Sequence, residues 1–118
     1  MKFSGVMIGA EDPDALGVFY TKLLGEPGFR DGTWYGWAGT GQLMLGAHSD
    51  VHGTSTQPQR LMLMIESEDV AASFKEIVAF GAGVVAEPYQ PDGAPGDVWL
   101  ATVSDPEGNY VQLASPWE

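Results

Sequence analysis

Asp105-Pro106-Glu107-Gly108-Asn109-Tyr110-Val111-Gln112-Leu113 reads as a tight turn running straight into a strand. Pro106 pre-sets φ for the turn and Gly108 permits a positive φ. The following stretch, Tyr110 to Ala114, is a short run of strand formers. Working back toward the N-terminus, short strands are expected at Trp99 to Val103 and around Val84-Val85. Between them, Pro88 to Asp97 carries three prolines and two glycines in ten residues, which predicts a connector or a lid. Earlier still, Glu66-Ser67-Glu68-Asp69 opens a helix that carries Val70, Phe74, Ile77 and Val78 and stops at Gly81. A strand over Arg60 to Ile65 precedes it.

The same order occurs in the first half. Lys2 to Ala10 predicts a strand. Asp12-Pro13-Asp14 then opens a helix, with Asp12 as cap and Pro13 at the first helical position. Leu16, Phe19, Tyr20, Leu23 and Leu24 form one apolar stripe, and Gly25 ends it. Three short strands are expected between Gly28 and His48, divided by turns at Asp31-Gly32 and Gly39-Thr40-Gly41. Residues 49–58 are polar and turn-rich, the natural internal boundary. Asp12 and Asp69 mark equivalent helix starts, so strand–helix–three strands occurs twice, over about 1–55 and 58–118. Each half is too small to bury a sufficient core, so the expectation is one domain made of two modules.

Composition narrows the function classes. The 118 residues are 44% hydrophobic, with 16 acidic against 5 basic side chains and a net charge of −11. Such a surface repels phosphate backbones, so no nucleic-acid partner is expected. There is no cysteine, which removes disulfides, zinc ribbons and thiol catalysis. The short apolar start is unlike a signal peptide, and no run is long enough to span a membrane, so a soluble cytoplasmic domain is expected.

The doubled βαβββ order, the Asp105-Pro106-Glu107-Gly108-Asn109 turn before the last strand, and the Phe19-Tyr20 pair resemble the vicinal oxygen chelate superfamily. Glyoxalases, bleomycin-resistance proteins and extradiol dioxygenases are among its members. Glu87-Pro88-Tyr89, Gly46-Ala47-His48-Ser49 and the Phe19-Tyr20-x-x-Leu23-Leu24-Gly25 ending are similar to one glyoxalase-like branch. The resemblance covers essentially the whole chain. It implies an α+β fold of paired βαβββ modules, whose cupped mixed sheets carry helices on the outer face. It also implies that a metal or ligand lies in the cup and that the chain is a homodimer. The family's metal-ligand positions correspond here to Gly5, Met44, Met62 and Gln112, of which only Gln112 could offer a hard donor. No metal and no other cofactor is therefore expected.

Strand alternation places Phe3, Met7, Gln42, Gly46, His48, Met64, Tyr110 and Ala114 on the same face as those four. Val6, Ile8, Leu43, Leu45, Leu61, Leu63, Ile65, Val111 and Leu113 fall on the other face, toward the helices. Met7, Met44, Met62 and Met64 all fall on the cup side. Methionine adapts to varied apolar ligands, and it also simply fills gaps. As a pocket, the cup would use Gln112 and Tyr110 as polar handles. Trp34 and Trp37 cannot share a strand face, so one suits the core and the other a pocket wall. Trp99 and Trp117 are weaker candidates for the same role. In His48-Ser49-Asp50-Val51-His52 an extended chain would point both histidines and the acid one way, although the glycine after them favours a loop.

The first functional expectation is a metal-independent protein that binds or sequesters a hydrophobic or cationic aromatic compound. Its ligand residues would be Met7, Met44, Met62, Met64, Gln112, Tyr110, Trp34, Trp37 and His48. The alternative is a metal-independent enzyme, lyase- or isomerase-like, on a small organic substrate with His48 or Tyr110 moving a proton. A metal-dependent glyoxalase or dioxygenase ranks last.

Overall fold

The computed structural model describes residues 1–39, 41–94 and 96–116. Trp117 lies outside the described residues, as do Thr40 and Pro95 of the expected turn and connector. The chain divides into two units, Met1–Thr54 and Ser55–Glu118.

In the first unit, β1 (Val6–Ala10) leads into α1 (Pro13–Leu24), followed by β2 (Phe29–Asp31), β3 (Trp34–Ala38) and β4 (Gln42–Ala47). The Asp12 carboxylate accepts from the Ala15 N–H, and Pro13 occupies the first turn where no N–H is needed. Gly25, with φ of 88°, ends the helix in a conformation that side chains resist. The sheet order is β1-β4-β3-β2, with β1 parallel to β4 and the remaining pairs antiparallel. Leu16, Phe19 and Tyr20 on α1 are buried, as are Tyr35, Trp37, Leu43 and Leu45 on the sheet. Each fully buried aliphatic side chain contributes about 1.5–3 kcal/mol of transfer free energy, so this layer holds the unit together.

The second unit repeats the plan. β5 (Leu63–Glu66) leads into α2 (Val70–Phe80), then β6 (Gly83–Tyr89), β7 (Leu100–Ser104) and β8 (Tyr110–Ala114), in the order β5-β8-β7-β6. Asp69 caps α2 by accepting from Ala72 N–H. The Asp105 turn is tied by its own carboxylate, whose Oδ1 accepts from the N–H groups of Glu107 and Asn109, both at 2.9 Å. Val103, Val111 and Leu113 are fully buried on the α2 side. The fold class is therefore α+β, two βαβββ modules each forming a four-stranded mixed sheet.

Several expected boundaries move. Lys2 to Gly5 precede β1 because the partner β4 begins at Gln42 and the ladder starts at Val6 opposite Leu43. Arg60 ends a 3-10 turn over Pro58–Arg60, so β5 begins only at Leu63. Leu61, expected on the helix-facing side, is consequently 71% exposed. Trp99 precedes β7. β6 runs on through Pro88 and Tyr89, the first two residues of the expected connector; an edge strand tolerates proline, and register shifts on either side of Ala86 accommodate it. His48 lies beyond the end of β4. A turn follows it, with Val51 N–H donating to the His48 carbonyl, so residues 48–52 form the loop that the following glycine favours and not an extended segment. No helix among the described residues is long and apolar enough to cross a membrane.

Candidate functional site

The register of the first sheet lines up one complete cross-strand row. Met7 pairs with Met44, Met44 with Gly36, and Gly36 with Phe29. These residues face away from α1, because Leu43, Leu45, Tyr35 and Trp37 alternate with them and are buried on the helix side. Met7 is 53% and Phe29 49% exposed, whereas Met44 is half-buried. A cavity of about 400 Å³ lies along this row, lined by Gly28, Phe29, Gly36, Trp37, Ala38, Gln42 and Met44.

Glycines shape this face by letting side chains lie across it. A Cβ at Gly36 would stand 2.6 Å from the Met44 Sδ, so the thioether rests directly over that glycine. A Cβ at Gly46 would stand 2.4 Å from the Trp34 indole, which covers the next row. At Gly9 the corresponding contacts are the Cβ of His48 and a methyl of Val51, both 3.0 Å away. Trp34 and the 48–51 turn thus fill one end of the cup face, and the cavity occupies the other.

The two expected tryptophans have separate positions. Trp37 is 7% exposed, its Nε1 donates to the Gly25 carbonyl at 2.8 Å, and its ring stacks on Tyr35 at 6.1 Å with planes 8° apart. It is core that also reaches the cavity. Trp34 is half-buried on the cup face. His48 is exposed, and its Nδ1 accepts from the Asp50 N–H at 3.1 Å. His52 pairs instead with Glu11, Nδ1 to Oε2 at 3.7 Å.

On the helix side of the same sheet, Tyr35 Oη donates to Asp14 Oδ1 at 2.9 Å and accepts from Arg30 Nη2 at 2.8 Å. The Arg30 guanidinium also lies 4.0 Å from the centre of the Tyr35 ring. Burial and the hydrogen bond to Asp14 raise the Tyr35 pKa above its ordinary value of 10.0, while Arg30 pulls the other way. A neutral phenol therefore braces the sheet against α1.

In the second unit, Met64 pairs with Gln112 and Gln112 with Thr102, the counterpart of the methionine row. Met64 is 67% exposed, Gln112 and Tyr110 are half-buried, and Met62 is half-buried just before β5. Tyr110 pairs with Ser104. Met7, Met44 and the two tryptophans thus belong to one unit, and Met62, Met64, Tyr110 and Gln112 to the other. Phe29, Gly36, Gly28 and Ala38 escaped sequence reasoning. Phe29 sits in a three-residue edge strand whose register no pattern specifies, and a glycine shows nothing of what rests on it.

The metal implied by the family resemblance does not fit these residues. Gly5, Met44, Met62 and Gln112 offer two thioethers and one neutral amide oxygen, a poor set for Zn²⁺, Ni²⁺ or Fe²⁺. A Cβ at Gly5 would stand 2.6 Å from the Gln42 carbonyl oxygen, so a liganding side chain there would need the backbone to shift. Among the described residues no group of three or more His, Asp or Glu side chains is placed to hold an ion.

Residues 5–114 match the glyoxalase-like domain family. No curated protein matches the chain. Among solved structures it is similar to a glyoxalase-related enzyme from Fulvimarina pelagi, at 19% identity and a TM-score of 0.77, over 98% of this chain and 88% of that one. A glyoxalase/bleomycin resistance protein from Albidiferax ferrireducens is 25% identical, with a TM-score of 0.76 over 97% and 98% of the two chains. A glyoxalase/bleomycin resistance protein/dioxygenase family enzyme from Burkholderia phytofirmans is 20% identical, with a TM-score of 0.76 over 95% and 96%. The turn at Asp105, the doubled module and these likenesses agree: the chain belongs to the glyoxalase-like domain family, within the vicinal oxygen chelate (glyoxalase, bleomycin resistance, dioxygenase) superfamily.

Proposed function

We propose that this protein binds or sequesters a hydrophobic or cationic aromatic small molecule without a metal. The cavity of about 400 Å³ over the Met44–Gly36–Phe29 row carries the proposal. It has the apolar lining and the few polar groups of a small-molecule site, and a size within the usual ~300–1,000 Å³. Methionine suits such a wall because its unbranched thioether adapts to ligand shape. In the second unit, Met64, Gln112 and Tyr110 supply a similar apolar face with polar handles. An enzymatic role for His48 or Tyr110 has less support. His48 Nδ1 is already the acceptor that holds its own turn.

The chain would act as a homodimer in the cytoplasm, with no nucleic-acid or membrane partner. Val84, Val85 and Tyr89 on the edge strand β6 are exposed apolar side chains that a second copy would cover. The test of the main proposal is a titration of the chelator-treated protein with neutral and cationic naphthalene derivatives, followed by tryptophan fluorescence. Saturable one-to-one binding is expected. A requirement for added Zn²⁺, Ni²⁺, Fe²⁺ or Mn²⁺ would overturn it.

A further inference from the structure

Resting on the proposal that the first-sheet cavity is a ligand site, we infer that Gly36 is its specificity-determining residue. By holding Met44 flat, it opens a slot for a neutral, planar aromatic group with one hydrogen-bonding edge.

Met44 and Gly36 are register partners, and the two residues make one shape. The thioether crosses the glycine so closely that a Cβ there would meet Sδ at 2.6 Å and Cε at 3.6 Å. On the far side the same Cβ would approach the Phe29 Cβ at 3.3 Å. Any larger residue at position 36 must therefore displace the Met44 side chain. With Gly36 on one side and Met7 on the other, the open space above the sheet, which is the cavity, is where the displaced thioether can go. The backbone of Gly36 needs no positive φ, so glycine is required at this position by space and not by conformation.

The chemistry of the lining selects the occupant. None of the seven described lining residues is charged. A cation drawn in by the net charge of −11 would find no carboxylate among them to pair with. Trp37 cannot serve as donor, because its Nε1 is committed to the Gly25 carbonyl. One face of its ring is also covered by Tyr35. The remaining polar side chain of the lining is the neutral amide of Gln42, which can donate to or accept from a ring heteroatom or hydroxyl. Flat Met44 and the Phe29 ring present polarisable surfaces that favour an aromatic plane over a branched chain. A ligand may carry positive charge only on a part that stays outside.

The test compares neutral N-phenyl-1-naphthylamine with the (1-naphthyl)trimethylammonium cation, in the wild type, Gly36→Ala and Gly36→Ala/Met44→Ala. Methyl-labelled methionine spectra are recorded in parallel. The neutral probe should bind the wild type at least about tenfold more tightly than the cation and shift the Met44 methyl resonance. Gly36→Ala should weaken neutral-probe binding at least about tenfold, and truncating Met44 in that background should restore most of it. Met44→Ile, whose branched Cβ cannot lie flat, should reproduce the loss and stands in should Gly36→Ala not fold. Preference for the cation, an unmoved Met44 resonance, unchanged affinity in Gly36→Ala or Met44→Ile, or no rescue would each overturn the inference while leaving the ligand site itself intact. If neither probe binds the wild type, the ligand-site proposal fails and this inference fails with it.

Discussion

A charge placed on each face of the second sheet separates a wet cup from a dry interior. Met64 and Leu113 lie on adjacent strands one register step apart, since Met64 pairs with Gln112 and Ile65 with Leu113. Met64 is 67% exposed and Leu113 is fully buried. In Met64→Glu the new carboxylate remains hydrated, so the desolvation cost is small. The main penalty is repulsion from Glu66, two residues along the same face, which at a separation near 7 Å in water is about 0.6 kcal/mol. The expected loss is therefore about 1 kcal/mol or less, and it should shrink as salt screens the pair. Leu113→Glu removes a leucine from close packing, at about 2–5 kcal/mol, and leaves an unpaired charge in the core, at about 3–5 kcal/mol more. The sum reaches the ~5–15 kcal/mol that holds a domain together, so this variant should not fold. Urea unfolding followed by far-UV circular dichroism reads both, with the slope showing that the same surface is exposed. If Met64→Glu lost more than about 3 kcal/mol, the methionine face would be packed interior and the cup would not exist.

Four further outcomes follow from particular contacts. In Gly17→Ala the added Cβ meets the Tyr35 ring at 2.4 Å, so overpacking of about 1–3 kcal/mol should exceed the ~1 kcal/mol gained in helix propensity; in a Tyr35→Ala background the sign should reverse, as thermal melts would show. Asp105→Ala removes the acceptor of the Glu107 and Asn109 N–H groups inside a buried turn and should cost about 2–4 kcal/mol in urea unfolding. Because the Tyr35 pKa is raised in the folded state, the unfolded chain releases that proton first. Stability is then fully present below about pH 10 and falls as pH rises through the folded pKa, and the difference between wild type and Tyr35→Phe isolates this slope. Elemental analysis should find substoichiometric Zn, Ni, Fe and Mn, with no change in melting temperature on adding chelator; a tight one-to-one ion on Gly5, Met44, Met62 and Gln112 would contradict the donor chemistry.

What the sequence by itself determined is the order of the elements, the helix ends and the alternation of strand faces. Asp12 and Asp69 announce their helices because a short carboxylate before the first turn has few other uses. Gly25 and Gly81 end them because positive φ is cheap only for glycine. The split between Met44 and Leu45, or Gln112 and Leu113, was legible because strand side chains alternate with a period of two. Strand ends were not, since a ladder begins where its partner does: β1 waits for Gln42, and β5 starts after a 3-10 turn that Pro58 begins. The cavity was beyond any pattern. It exists because Phe29, Gly36 and Met44 come from three strands whose register is set by pairing. It stays open because a missing Cβ on one strand admits a side chain from the next. Only tertiary structure decides such a fit, because it depends on distances between atoms that sequence separation does not encode.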